Sequence, residues 1–393
     1  MKIHKICFIA LFVRLIALAI VMSFSKDLTT GFISSELIND DVRYLAGAEN
    51  YVKFAKSLID VNALSDSYID VGDWSATGYE FKLWYWIVSV TMYIFHNEVA
   101  PKILNILFAV ASVICIYDIC KKLYGEQVAS IASMLYALLP YPVFFSCFLY
   151  KDQFYTLLVL LLFRIIVIKQ ANLKLKDFII IASILTISNF IRSGLSILIA
   201  GLLSIIYIKY SNKKRLKVYS IFIIVLLFVG TYILWTYSFE SIEKKYDAYV
   251  VRGSSGGEGL MSYVVIKKPI DLYRYPLALL FAMLLPGNTS GTITSWLGLV
   301  GCLNYVIPPI AIGNFIYLIY WKFKKDVFFW CIQVLYLITI VTSLGIFRHQ
   351  YYLQPYMMIF FSLFFTKLRF RQKSIYLAFS VTIVFLYAIF SLI

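Results

Sequence analysis

Long apolar runs separated by short basic turns make up most of the 393-residue chain, and their polarity does not alternate as barrel strands would require. A helix needs about 20 apolar residues to cross roughly 30 Å of hydrocarbon. Runs of that kind predict about eleven spans, at roughly 6–25, 100–120, 128–149, 153–170, 177–193, 194–210, 216–238, 295–321, 327–345, 351–366 and 374–392. The run LWYWIVSVTMYIFH at 83–96 offers only 14 residues, the length of a re-entrant or interfacial helix. The pattern therefore predicts an all-α polytopic membrane protein, one membrane domain over 1–393. Two long external segments interrupt it, a first loop at 26–99 with juxtamembrane helices and a second at 239–294. No small-residue cleavage site follows the first run, so it is expected to be retained as a span.

Composition narrows the class without changing it. Hydrophobic residues make up 61% of the chain and charged residues 15%, with a mean hydropathy of +0.82. Ordinary soluble domains carry about 45–50% and about 25%, which excludes a soluble enzyme, a disordered tail and a disulfide scaffold. The net charge of +15 is explained by position. If 83–96 does not cross, residues 1–5, 121–126 and the turns at 169–177, 209–217, 322–326 and 367–373 all face one side. Together they hold 19 Lys and Arg against three acids, Glu126, Asp177 and Asp326. That bias orients a plasma-membrane protein with its amino end inside and its carboxyl end outside, and it needs no nucleic-acid partner. The layout suits a bacterial inner membrane. All six cysteines sit in or beside apolar runs without paired or metal-type spacing and are expected to be small buried hydrophobes.

Away from the span ends, in the membrane core, the charges are few: Arg14, Asp118 and Arg164. Snorkelling or local pairing with Lys121 and Lys122 accounts for Asp118, and the inner end of its helix for Arg164. Arg14 is deeper, and lining a polar cavity and pairing with Asp118 both remain open.

Residues 26–82 of the first external segment carry ten of the 21 acids against five bases, including NDDVRYLAGAENYVKFAKSLID at 39–60. Leu45, Ala48, Val52, Ala55 and Leu58 are spaced as one face of a surface helix. Asp40 and Asp41 before it have two readings. Acids at a helix start cap free N–H groups and complement the helix dipole, worth about 1 kcal/mol. A carboxylate just outside the bilayer could instead act as a general base on a membrane-bound substrate.

The run Asp40-Asp41-Val42-Arg43-Tyr44, with Ala48 and Tyr51 after it, resembles the D-(D/E)-x-R-Y element in the first external loop of GT-C superfamily glycosyltransferases. The likeness is to the branch of lipid A aminoarabinose transferase and the protein O-mannosyltransferases. The stretch ALLPYPVFFSCFLYKDQFYTLLVLLLF at 137–163 is similar to that family's third span, polar turn and fourth span, with Asp152 as the matching acid and Lys151 beside it. An N-cap on the following helix is the alternative for Asp152. FRHQYYLQPYMMIFF at 347–361 is similar to an Arg-aromatic-Pro element that starts a late span on the outer side, which places Arg348 and His349 there. Anchoring with Tyr351 and Tyr352 in an aromatic belt is the alternative for both. The branch has a proline turn before its re-entrant helix that GYEFKLWYW at 78–86 lacks, and 267–292 resembles loops of GT-C-like proteins of bacterial surface-polysaccharide pathways.

The resemblance implies a GT-C-like bundle that transfers a sugar from a polyprenyl-phosphate donor to an acceptor hydroxyl on a glycan, lipid or protein at the outer face. Asp40 would be the catalytic carboxylate, and Asp41 and Asp152 would orient the acceptor or hold a divalent cation such as Mg or Mn. Arg43 and Tyr44 would help bind substrate. The departing phosphate calls for cations, and Lys151, Arg192, Arg252, Lys267, Lys268, Arg274, Arg348 and His349 are the candidates. GSSGGEG at 253–259 lacks the Lys-Ser/Thr of a nucleotide loop and suits a flap or a linker. Two other functions fit the same layout, a polymerase or ligase acting on lipid-linked oligosaccharide and a flippase of lipid-linked sugar. The flippase lacks its expected pair of broken helices.

Overall fold

The computed structural model describes residues 2–25, 35–58, 60, 79–169, 173–191, 195–210, 306–320, 326–333, 335 and 351–390, and all the regular structure among them is helical. In chain order the elements are α1 (Ile3–Ser25), α2 (Ser35–Phe54), α3 (Tyr79–Phe95), α4 (Val99–Tyr124), α5 (Glu126–Leu138), α6 (Pro140–Phe145) and α7 (Lys151–Lys169). They continue as α8 (Leu175–Ile191), α9 (Leu195–Tyr210), α10 (Ile307–Tyr320), α11 (Gln354–Lys367) and α12 (Phe370–Phe390). Among the described residues Ile3–Ser23 and Val99–Tyr124 are long and apolar enough to cross a membrane on composition alone. The expected span at 216–238 lies outside the described residues, as do parts of those at 295–321 and 327–345. The loop at 239–294 lies outside them too.

Local chemistry sets the helix ends. The Asn97 side chain accepts the Val99 N–H at 2.8 Å and opens α4. Gly125, at φ 94°, closes it by donating its N–H to Cys120 O. That backbone conformation costs a glycine little, so α4 can turn directly into α5.

The expected continuous span at 128–149 is instead broken. Helix α5 stops at Leu138 because Pro140 and Pro142 have no N–H to offer the carbonyls of Tyr136 and Leu138. The short α6 follows, and then an irregular stretch at 146–150 leads into α7.

Cross-helix contacts give the directions. Asn105 meets Phe148 and Tyr150, Ser112 meets Gln153, and Asp118 meets Arg164, so α4 and α7 run parallel. Helix α5 returns beside α4, with Ser133 donating to Val113 O. Asp118 is paired across the bundle, its carboxylate 2.7 Å from Arg164 Nε, rather than with Lys121 or Lys122 one turn along.

Arg14 does not pair with Asp118. It is fully buried on α1 and donates to Ala137 O and Tyr136 O, each at 3.0 Å, and to Ala10 O at 3.2 Å. Its guanidinium thus caps the helix end that Pro140 leaves bare, and it also lies 5.7 Å from the Tyr136 ring. A cation at this depth is held by backbone dipoles.

In the second half, α10 packs on α11 and α12 through Gly313. A Cβ there would lie 2.7 Å from Phe361 Cδ2 and 2.9 Å from Tyr376 Oη. The Tyr376 hydroxyl donates to Pro309 O in the preceding turn of α10. Of the cysteines, Cys115, Cys120, Cys147 and Cys331 are buried, Cys7 is half-buried, all five carry free thiols, and Cys302 lies outside the described residues.

Replacing Arg14 by Met keeps the length of the side chain but leaves two buried carbonyls unpaired, at about 1–3 kcal/mol each. Arg14→Met is expected to lower the melting temperature of the detergent-purified protein by several degrees, measured by following the Trp fluorescence on heating.

Candidate active site

Helix α2 begins at Ser35, so Asp40 and Asp41 stand in its second turn and not at its start. Capping of α2 is thereby removed as their role. Their side chains, and that of Arg43, lie outside the described residues. The backbone at 40 and 41 lies one turn before Tyr44, which is buried.

The buried face of α2 is Tyr44, Ala48 and Tyr51. The expected face of Leu45, Ala48, Val52, Ala55 and Leu58 is rotated by one position. Leu45 and Val52 are only half-buried, the helix ends at Phe54, and Leu58 is exposed. Aromatic burial decides the rotation: Tyr44 packs on Tyr85 with ring centroids 4.7 Å apart and meets Trp84 edge-on, while Tyr51 meets Tyr93 edge-on. Rings bury more area than aliphatic side chains and draw their own face inward.

Trp84 carries this packing to the irregular stretch. Its Nε1–H donates to Leu149 O at 2.7 Å, and its ring stacks on Phe154 at 5.9 Å. From α4, Asn105 Nδ2 donates to Phe148 O at 2.6 Å and to Tyr150 O at 3.3 Å. The three successive carbonyls before α7 each have a donor, which is how irregular backbone survives inside a bundle.

Asp152 then falls in the first turn of α7, 2% exposed. Lys151 is buried as well and donates Nζ to Ile191 O at 3.2 Å. Ile191 is the last residue of α8 and precedes Arg192, which lies outside the described residues. From the far end of the sequence, Tyr351 enters the same place. Its ring lies 4.5 Å from that of Phe145, and its hydroxyl donates to Gln153 Oε1 at 2.5 Å.

The structure thus gathers Tyr44, the Lys151-Asp152-Gln153 start of α7, the end of α8 and Tyr351 at one end of the bundle. Helices α4, α7, α9 and α11 start at this end, and each has lysine in its last turn: Lys121 and Lys122, Lys169, Lys209, and Lys367. The opposite end also holds the Lys169–Asp177 contact at 3.9 Å and the Tyr124 hydroxyl donating to Asp326 at 2.7 Å.

Arg252, Lys267, Lys268, Arg274, Arg348 and His349 lie outside the described residues. Among the described residues no three His, Cys, Asp or Glu side chains gather as metal ligands would. Sequence reasoning passed over Asn105, Gln153 and Lys102. Lys102 is 5% exposed on the first turn of α4, one turn from Asn105 on the same side of the helix. Its signal was a lone lysine three residues from an asparagine just inside an apolar run. An apolar groove of about 440 Å³ also runs along α5, lined by Ile131, Met134, Leu135, Leu138, Pro140 and Val306 among others, and ends at the proline break below this site.

Residues 83–235 match the family model described as dolichyl-phosphate-mannose-protein mannosyltransferase. Over that segment the chain is similar to this family of membrane glycosyltransferases. It is accordingly a polytopic integral membrane protein that transfers a sugar from a polyprenyl-phosphate-linked donor to an acceptor, as the Asp-Asp-x-Arg-Tyr run and the Asp152 turn led us to expect. Neither a curated protein nor a solved structure matches it. The matched segment runs from the start of the Trp84 turn through α9 and so contains Asn105, Lys151, Asp152 and Gln153. Helix α2 and Tyr351 stand outside it.

Asn105→Leu removes the donor shared by two buried carbonyls at nearly unchanged volume. It is expected to cost about 2–4 kcal/mol and to speed amide hydrogen exchange selectively at 146–153, read by mass spectrometry against the wild-type protein.

Proposed function

We propose that this end of the bundle is the active site of an inverting transferase and that it faces the extracytoplasmic side. The observation that carries the reading is the convergence of the Asp152 turn with α2, the end of α8 and Tyr351. Each is the described neighbour of a group the chemistry calls for: Asp40 and Asp41, Arg192, and Arg348 with His349. Lysine in the last turns of α4, α7, α9 and α11 supports the sidedness, since basic ends stay in the cytoplasm.

In this reading the acceptor hydroxyl gives its proton to the Asp40 carboxylate as its oxygen attacks the anomeric carbon. The bond from that carbon to the phosphate oxygen breaks, and its electron pair leaves on the lipid phosphate. Displacement from the opposite face inverts the anomeric centre. Ammonium and guanidinium groups stabilise the charge growing on the leaving oxygen, the task of Lys151 and Lys102 together with Arg192, Arg252, Lys267, Lys268, Arg274 and Arg348. Asp41 and Asp152 orient the acceptor or hold Mg or Mn, whose Lewis acidity would assist departure of the phosphate. Arg43, Tyr44 and His349 help seat the substrates. The apolar groove along α5 suits the isoprenoid tail of the donor, because it is lined almost wholly by carbon and ends beside the proline break.

Asp40→Asn and Asp152→Asn are expected to lower transfer of radiolabelled mannose from polyprenyl-phosphate-mannose to membrane acceptors by at least about 100-fold, the size of a general-base contribution. Retention of transfer by Asp40→Asn with its loss in Arg274→Ala or Arg348→Ala would move the chemistry to the late loop and overturn this reading. Sidedness has its own check. Asp41→Cys is expected to react with a membrane-impermeant maleimide added outside intact cells, and labelling only after lysis would reverse the orientation.

A further inference from the structure

We infer that Gln153 is a positioning residue of the transferase, holding the segment that follows Arg348 and His349 in fixed register with the start of α7. The side chain is completely buried. Its amide oxygen accepts two hydroxyls, from Tyr351 at 2.5 Å and from Tyr136 at 3.3 Å, and its amide nitrogen donates to Ser112 Oγ at 3.3 Å. Ser112 in turn donates to Phe108 O at 2.9 Å. One side chain thus joins α4, α5, α7 and the turn before α11.

The three links are not equivalent. Ser112 belongs to α4, which packs along α7, and Tyr136 belongs to α5, which packs along α4 and is anchored by Gly125 and Arg14. Tyr351 arrives from almost two hundred residues along the chain and lies outside the family-matched segment. Ring packing against Phe145 and Tyr141, with centroids at 4.5 and 5.8 Å, holds the Tyr351 ring, and its hydroxyl also lies 3.4 Å from that of Tyr136. A hydrogen bond is more directional than these ring contacts and fixes where the hydroxyl sits. Asp152 is the residue before Gln153 on the same helical turn, and His349 is two residues before Tyr351. The Tyr351–Gln153 bond therefore fixes the residue two positions after His349 against the residue next to Asp152. A buried amide that merely satisfied its neighbours would need only the local partners on α4 and α5. Here the amide oxygen also takes the hydroxyl of the distant segment.

The inference rests on the site assignment proposed above, and the experiment separates the two. Tyr351→Phe removes one hydroxyl and keeps the ring packing, so it is the mildest probe. Gln153→Leu removes the hub at similar volume. In proteoliposomes with polyprenyl-phosphate-mannose as donor, each is expected to lower kcat about 10- to 100-fold, as displacement of reacting groups by about 1 Å does, while KM for the donor stays within about twofold. Because both changes break the same contact, Gln153→Leu/Tyr351→Phe is expected to be no worse than the more impaired single variant.

Unchanged kcat per folded molecule with a lowered melting temperature would reduce the contact to packing and overturn the inference, as would losses that multiply in the double variant. If Asp40→Asn and Asp152→Asn abolish transfer while Tyr351→Phe keeps full kcat, this inference alone falls. If both aspartate variants remain active, the site assignment falls and takes this inference with it.

Discussion

A guanidinium buried at the middle of the first helix is the constraint on which the rest of the site depends. A cation at that depth is costly unless strong acceptors surround it, and helix carbonyls without partners are costly for the same reason. Arg14 and the proline-terminated end of α5 each remove the other's penalty through bonds at 3.0 Å to Tyr136 O and Ala137 O. With that end secured, α5 can stop after 13 residues. The chain is then free to leave helical geometry before it would have crossed. The Cys147 thiol, which donates to Arg14 O at 3.6 Å, keeps the far side of the break against α1.

What the break makes possible is a polar start to α7 inside an otherwise apolar bundle. Irregular backbone within a membrane protein lasts only where each exposed amide and carbonyl finds a partner in protein. Asn105 and Trp84 supply the donors for Phe148, Leu149 and Tyr150, and both residues also pack among the helices that hold them. The stretch is therefore rigid by hydrogen bonding even though it is not a helix. In the proposed active site such rigidity would matter chemically, because fixed charges and dipoles act on a transition state without having to reorganise.

The family match adds a boundary to this picture. Residues 83–235 contain the break, its donors and the Asp152 turn, whereas α2 and Tyr351 stand outside that segment and are packed against it. Tyr44 reaches the matched core through Trp84 and Tyr85, and Tyr351 reaches it through Phe145 and Gln153. Aromatic rings make both joints. They bury large areas with few rotatable bonds, so they tie distant stretches of chain together at low entropic cost.

Much of the helical plan was legible in one dimension, because hydrophobic run length and charge bias are properties of consecutive residues. Runs at 6–25, 100–120, 153–170, 177–193 and 194–210 correspond to α1, α4, α7, α8 and α9, and Asp152 stood out as a candidate through the resemblance of its polar turn to a family element. The break at Leu139 was also written in Pro140 and Pro142, but reading it as an interruption required knowing that Arg14 stood ready to cap it. Partner choice depended on three dimensions throughout. Asp118 takes Arg164 from another helix instead of its own neighbours, Tyr44 rotates the face of α2, and Gln153 gathers hydroxyls from both halves of the molecule. Periodicity and length by themselves determined which segments are helical and apolar. Only the tertiary packing decided which polar groups meet, since hydrogen bonds between distant residues leave no trace in local spacing.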